Sequence, residues 1–140
     1  LPPAIAIAAM SRRSSGAKKR RTSSASDTAR DTDAALQCAK AVATLSAEYM
    51  EAGELERAAR CLTAAKRLAG DTEAGGRSAL RLGELLYFNT DRTDAVRTEL
   101  ETAIRLLPPG DPEGFRAAAR LAQTLETAHD LTRAEATLAG

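Results

Sequence analysis

Histidine, cysteine and clustered carboxylates are the side chains with which a chain of this kind could catalyse a reaction or hold a metal. Here they are few and scattered. The single histidine, His129, falls at an expected inter-helix turn, His129-Asp130, where it reads as a helix C-terminal cap or an exposed turn residue. Cys38 and Cys61 lack CxxC spacing and read as small buried hydrophobes on two neighbouring helices. Glu51, Glu54 and Glu56 flank Gly53 as solvated turn residues do. There is no glycine-rich phosphate loop, no HExxH and no Ser or Cys nucleophile motif. Catalysis needs polar groups converging in a pocket, so the expectation is a non-enzymatic chain with no metal and no cofactor.

Binding chemistry is better represented. Lys40, Arg77 and Arg116 each stand five residues before a leucine, at Leu45, Leu82 and Leu121. The same three frames place Ala43, Leu80 and Ala119 two residues before the leucine, and Ala47, Glu84 and Gln123 two after it. Met50, Tyr87 and Glu126 lie five after, with Phe88 beside Tyr87. A row of three cations beside an aromatic pair suits an extended peptide with acidic and apolar side chains, held by charge-assisted hydrogen bonds and apolar anchoring. The expected groove residues are therefore Lys40, Met50, Arg77, Leu80, Glu84, Tyr87, Phe88, Arg116 and Gln123. Three bases among 20 could also coincide in this frame by chance.

Those positions need helices to carry them. Leu45-Ser46, Tyr49, Gly53, Ala58, Leu62 and Ala65 form one pattern, and Leu82-Gly83, Leu86-Tyr87, Ala95-Val96, Leu100 and Ala103 form a second that stops at Pro108. Leu121-Ala122, Leu125, Ala134 and Leu138 form a third, with Phe115 at the start of its first helix. The order of small and large residues is similar to the tetratricopeptide (TPR) pattern, with Val42 where its first aromatic is usual. The leucine-to-leucine steps of 37 and 39 residues exceed the ideal repeat of about 34, so the turns are lengthened. The expected fold is an all-α, TPR-like α-solenoid of antiparallel helix pairs, about two and a half repeats long. Ala58, Gly83, Ala95, Ala103 and Ala134 are the expected close-contact points. An ordinary helical bundle with alanine-rich seams is the alternative.

Helix ends are expected at Gly53, at Ala69-Gly70-Asp71 with Gly75-Gly76, at Thr90-Asp91, at Pro108 to Pro112 and at His129-Asp130. Asp111 can cap a helix whose first residue is Pro112. Aromatic residues make up 3% of the chain and Trp is absent, so the core must be built from Leu and Ala. No segment alternates as a strand does, and no apolar run approaches the about 18 residues of a membrane span.

The net charge of +1 hides two unlike parts. Residues 1–30 hold seven bases against Asp27, whereas residues 31–140 hold 13 bases against 18 acids. Nucleic-acid binding by the folded part is therefore disfavoured, because that binding draws on a basic face. The domain division expected is 1–30, a basic tail too poor in large apolar residues to order, and 31–140, the helical repeat domain, which stops at Gly140 in the middle of a helix. Too few complete repeats with an uncapped end predict marginal stability. Lys18-Lys19-Arg20-Arg21 resembles a nuclear-import signal, and an organelle transit peptide is the competing reading of the tail.

Beyond the repeat pattern, Ala47-Glu48-Tyr49, Cys61-Leu62, Arg77, Leu80-x-Leu82-Gly83-x-x-Leu86-Tyr87-x-x-Thr90, Leu100-Glu101-x-Ala103 and Phe115-x-Ala117-Ala118 resemble the N-terminal repeats of the TPR subunit of the cohesin loader, the chromatid cohesion factor family. The resemblance covers about residues 40–138 and is densest from Arg77 to Ala103. It implies a nuclear, non-enzymatic adaptor whose repeats wrap the N-terminal segment of the large HEAT-repeat loader subunit and support sister chromatid cohesion. Members of that family are several times longer, and the basic tail has no match in it. The alternative is a generic TPR adaptor in another complex, in an organelle if the tail is a transit peptide.

Overall fold

A computed structural model describes residues 25–139. Within them every regular element is helical: α1 (Ala25–Glu51), α2 (Leu55–Ala69), α3 (Glu73–Asn89), α4 (Thr93–Leu106) and α5 (Pro112–Ala139). The chain divides into two compact units, one ending at Ala34 and the other starting at Ala35. Of the first, only residues 25–34 at the start of α1 are described, all of them exposed or half-buried. The Lys18 to Arg21 cluster lies outside the described residues.

The joints follow from backbone chemistry. Gly53 takes φ 76 after α1, and the Glu54 N–H donates to the Tyr49 carbonyl while that of Gly53 donates to Met50, the paired bonds of a Schellman stop. Gly70 ends α2 at φ 61. Thr72 then caps α3, its hydroxyl accepting from the Gly75 N–H at 3.3 Å and donating to the Ala69 carbonyl at 3.0 Å. Gly110 turns at φ 83 before α5, where Asp111 Oδ1 accepts from the Glu113 N–H at 2.9 Å and Pro112 opens the helix, as its missing N–H permits.

Helix α3 is the centre. Its buried residues cover most of its circumference, from Gly75 to Leu85, whereas α2 buries one stripe (Ala58, Leu62, Ala65, Ala69) and α4 another (Val96, Leu100, Ala103). One core cluster joins Leu80, Val96, Leu100, Leu107 and Ala117; the other joins Ala58, Leu62, Leu82 and Leu85, with Tyr49 of α1 against it. Leu62, Leu80 and Leu100 are at most 1% exposed, each stabilising by about 1.5–3 kcal/mol through burial. Small residues set the spacing: a Cβ on Gly83 would lie 2.9 Å from Leu100 Cδ2, and one on Gly76 would lie 3.0 Å from Leu106 Cβ. Because Gly76 meets the end of α4 and Gly83 its middle, α3 and α4 run antiparallel.

Several expectations change. Helix α1 begins at Ala25, so residues 25–30 are helical rather than tail. Gly75 and Gly76 do not break the chain; they lie in the first turn of α3, where their missing side chains admit Gly70 and Leu107. No turn forms at His129-Asp130. Between Gly114 and Gly140 the sequence has neither Gly nor Pro to interrupt hydrogen bonding, and α5 continues for 28 residues. The third unit is therefore one helix and not a pair, and Ala134, expected at a crossing point, is exposed.

Candidate functional site

The expected groove residues separate into a cleft, a polar lock and an aromatic bracket. The cleft lies between α1 and α3, encloses about 530 Å³, and is lined by Lys40, Arg77 and Arg81 around Ala39, Ala43 and Ala74. Among the described residues Glu73 is the one acid in its lining.

The lock is built on Arg77, near the start of α3. Its Nη2 donates to Asp111 Oδ2 at 2.8 Å, its Nη1 to Glu113 Oε2 at 2.7 Å, and Nη2 also reaches Glu73. The side chain is 29% exposed and that of Asp111 14%. Asp111, then Glu113 and Glu73, hold the guanidinium well above its ordinary pKa, and the Arg77 hydrogen bond, helped by the Glu113 N–H, holds the Asp111 carboxyl below the usual carboxylate range. Asp111 thus caps α5 and ties it to α3 with the same carboxylate.

The bracket lies farther along the same two helices. Glu84, 8% exposed on α3, accepts from Arg116 Nε at 2.8 Å, from Arg116 Nη2, and from Arg120 Nη2 at 3.4 Å. The Glu84 hydrogen bond raises the Arg116 pKa. The Arg120 guanidinium carbon sits 5.2 Å from the Tyr87 ring centre and 4.7 Å from that of Phe88, and the two rings meet edge to face at 5.1 Å. Arg120 Nη1 donates to Gln123 at 3.0 Å, while its buried Nε has no partner among the described residues. Phe88 remains 64% exposed, which makes it an available apolar anchor.

Glu84, Tyr87, Phe88, Arg116 and Gln123 are therefore brought together, and Lys40 and Arg77 share the cleft. Leu80 lines neither, being 1% exposed in the core because it points from α3 toward α4. Met50 stands exposed near the end of α1, apart from both groups. Arg77 and Arg116 are not free cations, since carboxylates of this chain already hold them. Arg81 and Arg120 are not among the residues expected from the sequence. Each lies four residues after an expected cation, one helical turn farther on the same face, and that spacing was the available signal.

Among the described residues no group of three His, Cys, Asp or Glu side chains is placed to hold a metal ion, and no helix is long and apolar enough to cross a membrane. Cys38 and Cys61 are free and half-buried, and burial pushes the Cys61 thiol up. The chain matches no protein-family model, and no curated protein and no solved structure is similar to it.

Proposed function

We propose that the chain is a non-enzymatic, TPR-like protein-binding scaffold whose α1, α3 and α5 present a face to an extended segment of a larger protein. The observation that carries the reading is that contacts between α3 and α5 fall at separations of 32 to 36 residues. Arg77 meets Asp111 and Glu113 at separations of 34 and 36 residues, and Glu84 meets Arg116 at 32 and Arg120 at 36. Corresponding positions thus recur at close to the about 34-residue period of a repeat array. Lys66 of α2 also meets Glu99 of α4 at 33, with contacts of 2.6 and 2.7 Å. A solenoid of helix pairs repeats its contacts in this way.

Together with the sequence resemblance, this favours the TPR subunit of the cohesin loader as the kind of protein, the N-terminal segment of the large HEAT-repeat subunit as the partner, sister chromatid cohesion as the role in the cell cycle, and the nucleus as the location. The test is isothermal titration of the chain with that segment. Saturable binding lost on Phe88→Ala supports the reading, and absence of binding defeats the cohesin-loader identification while leaving a generic adaptor, nuclear or organellar, in place.

A further inference from the structure

We infer that the cleft between α1 and α3 seats a carboxylate side chain of the extended segment between Lys40 and Arg81, and that Arg77 takes no part in the seat. This rests on the scaffold reading and says which residues confer its charge preference. Arg77 spends its donors on Asp111, Glu113 and Glu73, and Glu73 is thereby occupied as well. Lys40 is exposed and its ammonium has no ion pair among the described residues. Arg81, 46% exposed, has one ionic neighbour, Glu113 Oε1 at 3.8 Å, a carboxylate that Arg77 already holds at 2.7 Å. Among the described residues the cleft therefore carries one cation, Lys40, without an ion pair and a second, Arg81, held only by a long contact to a carboxylate it shares with Arg77. Ala39, Ala43 and Ala74 leave room beside them for a peptide backbone to approach, and its about 530 Å³ falls within the about 300–1,000 Å³ of ordinary ligand clefts. A carboxylate placed there receives charge-assisted hydrogen bonds from both cations, an interaction that weakens as salt rises.

The test is fluorescence anisotropy of the full chain with three labelled peptides of about twelve residues, leucine alternating with Glu, with Gln or with Lys. The Glu peptide is expected to bind at least about tenfold more tightly than the Gln peptide, and Lys40→Glu or Arg81→Glu each to remove most of that preference. Circular dichroism should show both variants to be as helical as the parent. Equal affinity for the Glu and Gln peptides, or a Glu preference untouched by both substitutions, overturns the acidic seat but leaves a peptide-binding scaffold. Failure of all three peptides to bind counts against scaffold and seat together.

Discussion

Arg77 on α3 and Asp111 at the head of α5, 34 residues apart in sequence, form a two-pronged ion pair, Nη1 to Oδ1 at 3.5 Å and Nη2 to Oδ2 at 2.8 Å. Because Asp111 also caps α5, the pair joins the start of one helix to the start of another. Removing the cation leaves Asp111 facing Glu113, with only the Arg81 contact to Glu113 at 3.8 Å remaining between the pair and a cation. Arg77→Ala should cost about 1–3 kcal/mol, below the figure for a fully buried pair because water reaches the guanidinium. Urea unfolding followed at 222 nm measures it, and a loss under about 0.5 kcal/mol would show that the lock contributes little.

Acid should act through the same carboxylate. Since the folded state holds the Asp111 carboxyl below its ordinary value, its contribution is complete above that value and disappears as pH falls through the depressed one. Thermal melts between neutral pH and pH 2 should therefore show the melting temperature dropping below about pH 4, with a shallower drop for Asp111→Asn. Parallel curves for parent and variant would mean that other carboxylates account for the acid sensitivity.

Two glycines should respond differently to alanine. At Gly83 the new Cβ meets Leu100 Cδ2 at 2.9 Å, the end of a side chain that can shift. Overpacking of about 1–3 kcal/mol is then partly offset by a helical gain of about 0.5–1 kcal/mol. At Gly75 the Cβ would meet the Gly70 carbonyl oxygen at 2.2 Å. That oxygen belongs to a tight turn, so the α2–α3 joint must open. Gly75→Ala should be the more destabilising by at least about 1 kcal/mol in denaturant titration, and the reverse order would contradict the joint.

The distal half of α5 gives a fourth prediction. Ala117 and Thr124 are buried, and the same seven-residue step leads to Leu131 and Leu138, which are 58% and 88% exposed. Leu131→Ala should change stability by less than about 0.5 kcal/mol, against about 2–5 kcal/mol for Leu100→Ala. Comparable losses at both positions would mean that the last residues fold back into a third helix pair.

That contrast shows what the sequence could convey. Gly53, Gly70 and the Pro108–Pro112 stretch end helices where expected, because a left-handed glycine or a proline enforces a local outcome whatever surrounds it, and α3 also stops where expected, at Thr90. The turn at His129-Asp130 had no such enforcement and did not form. Gly75-Gly76 looked like a breaker because glycine signals flexibility and close approach alike, and only the position of Gly70 distinguishes the two. For the groove, the sequence reading placed Tyr87 beside Phe88, but the cation over both rings is Arg120 rather than Arg116. It could not reveal that Arg77 and Arg116 are neutralised by Asp111, Glu113 and Glu84, because those partners come from other helices, 32 to 36 residues away.

The two polar connections between α3 and α5 also have a mechanical meaning. Arg77 and Glu84 are seven residues apart on α3, and their partners Glu113 and Arg120 are seven apart on α5, so the connections sit like two rungs of equal height. A pull along either helix axis loads both rungs together in shear rather than one after the other. A scaffold under tension from a bound segment would keep α3 and α5 in step.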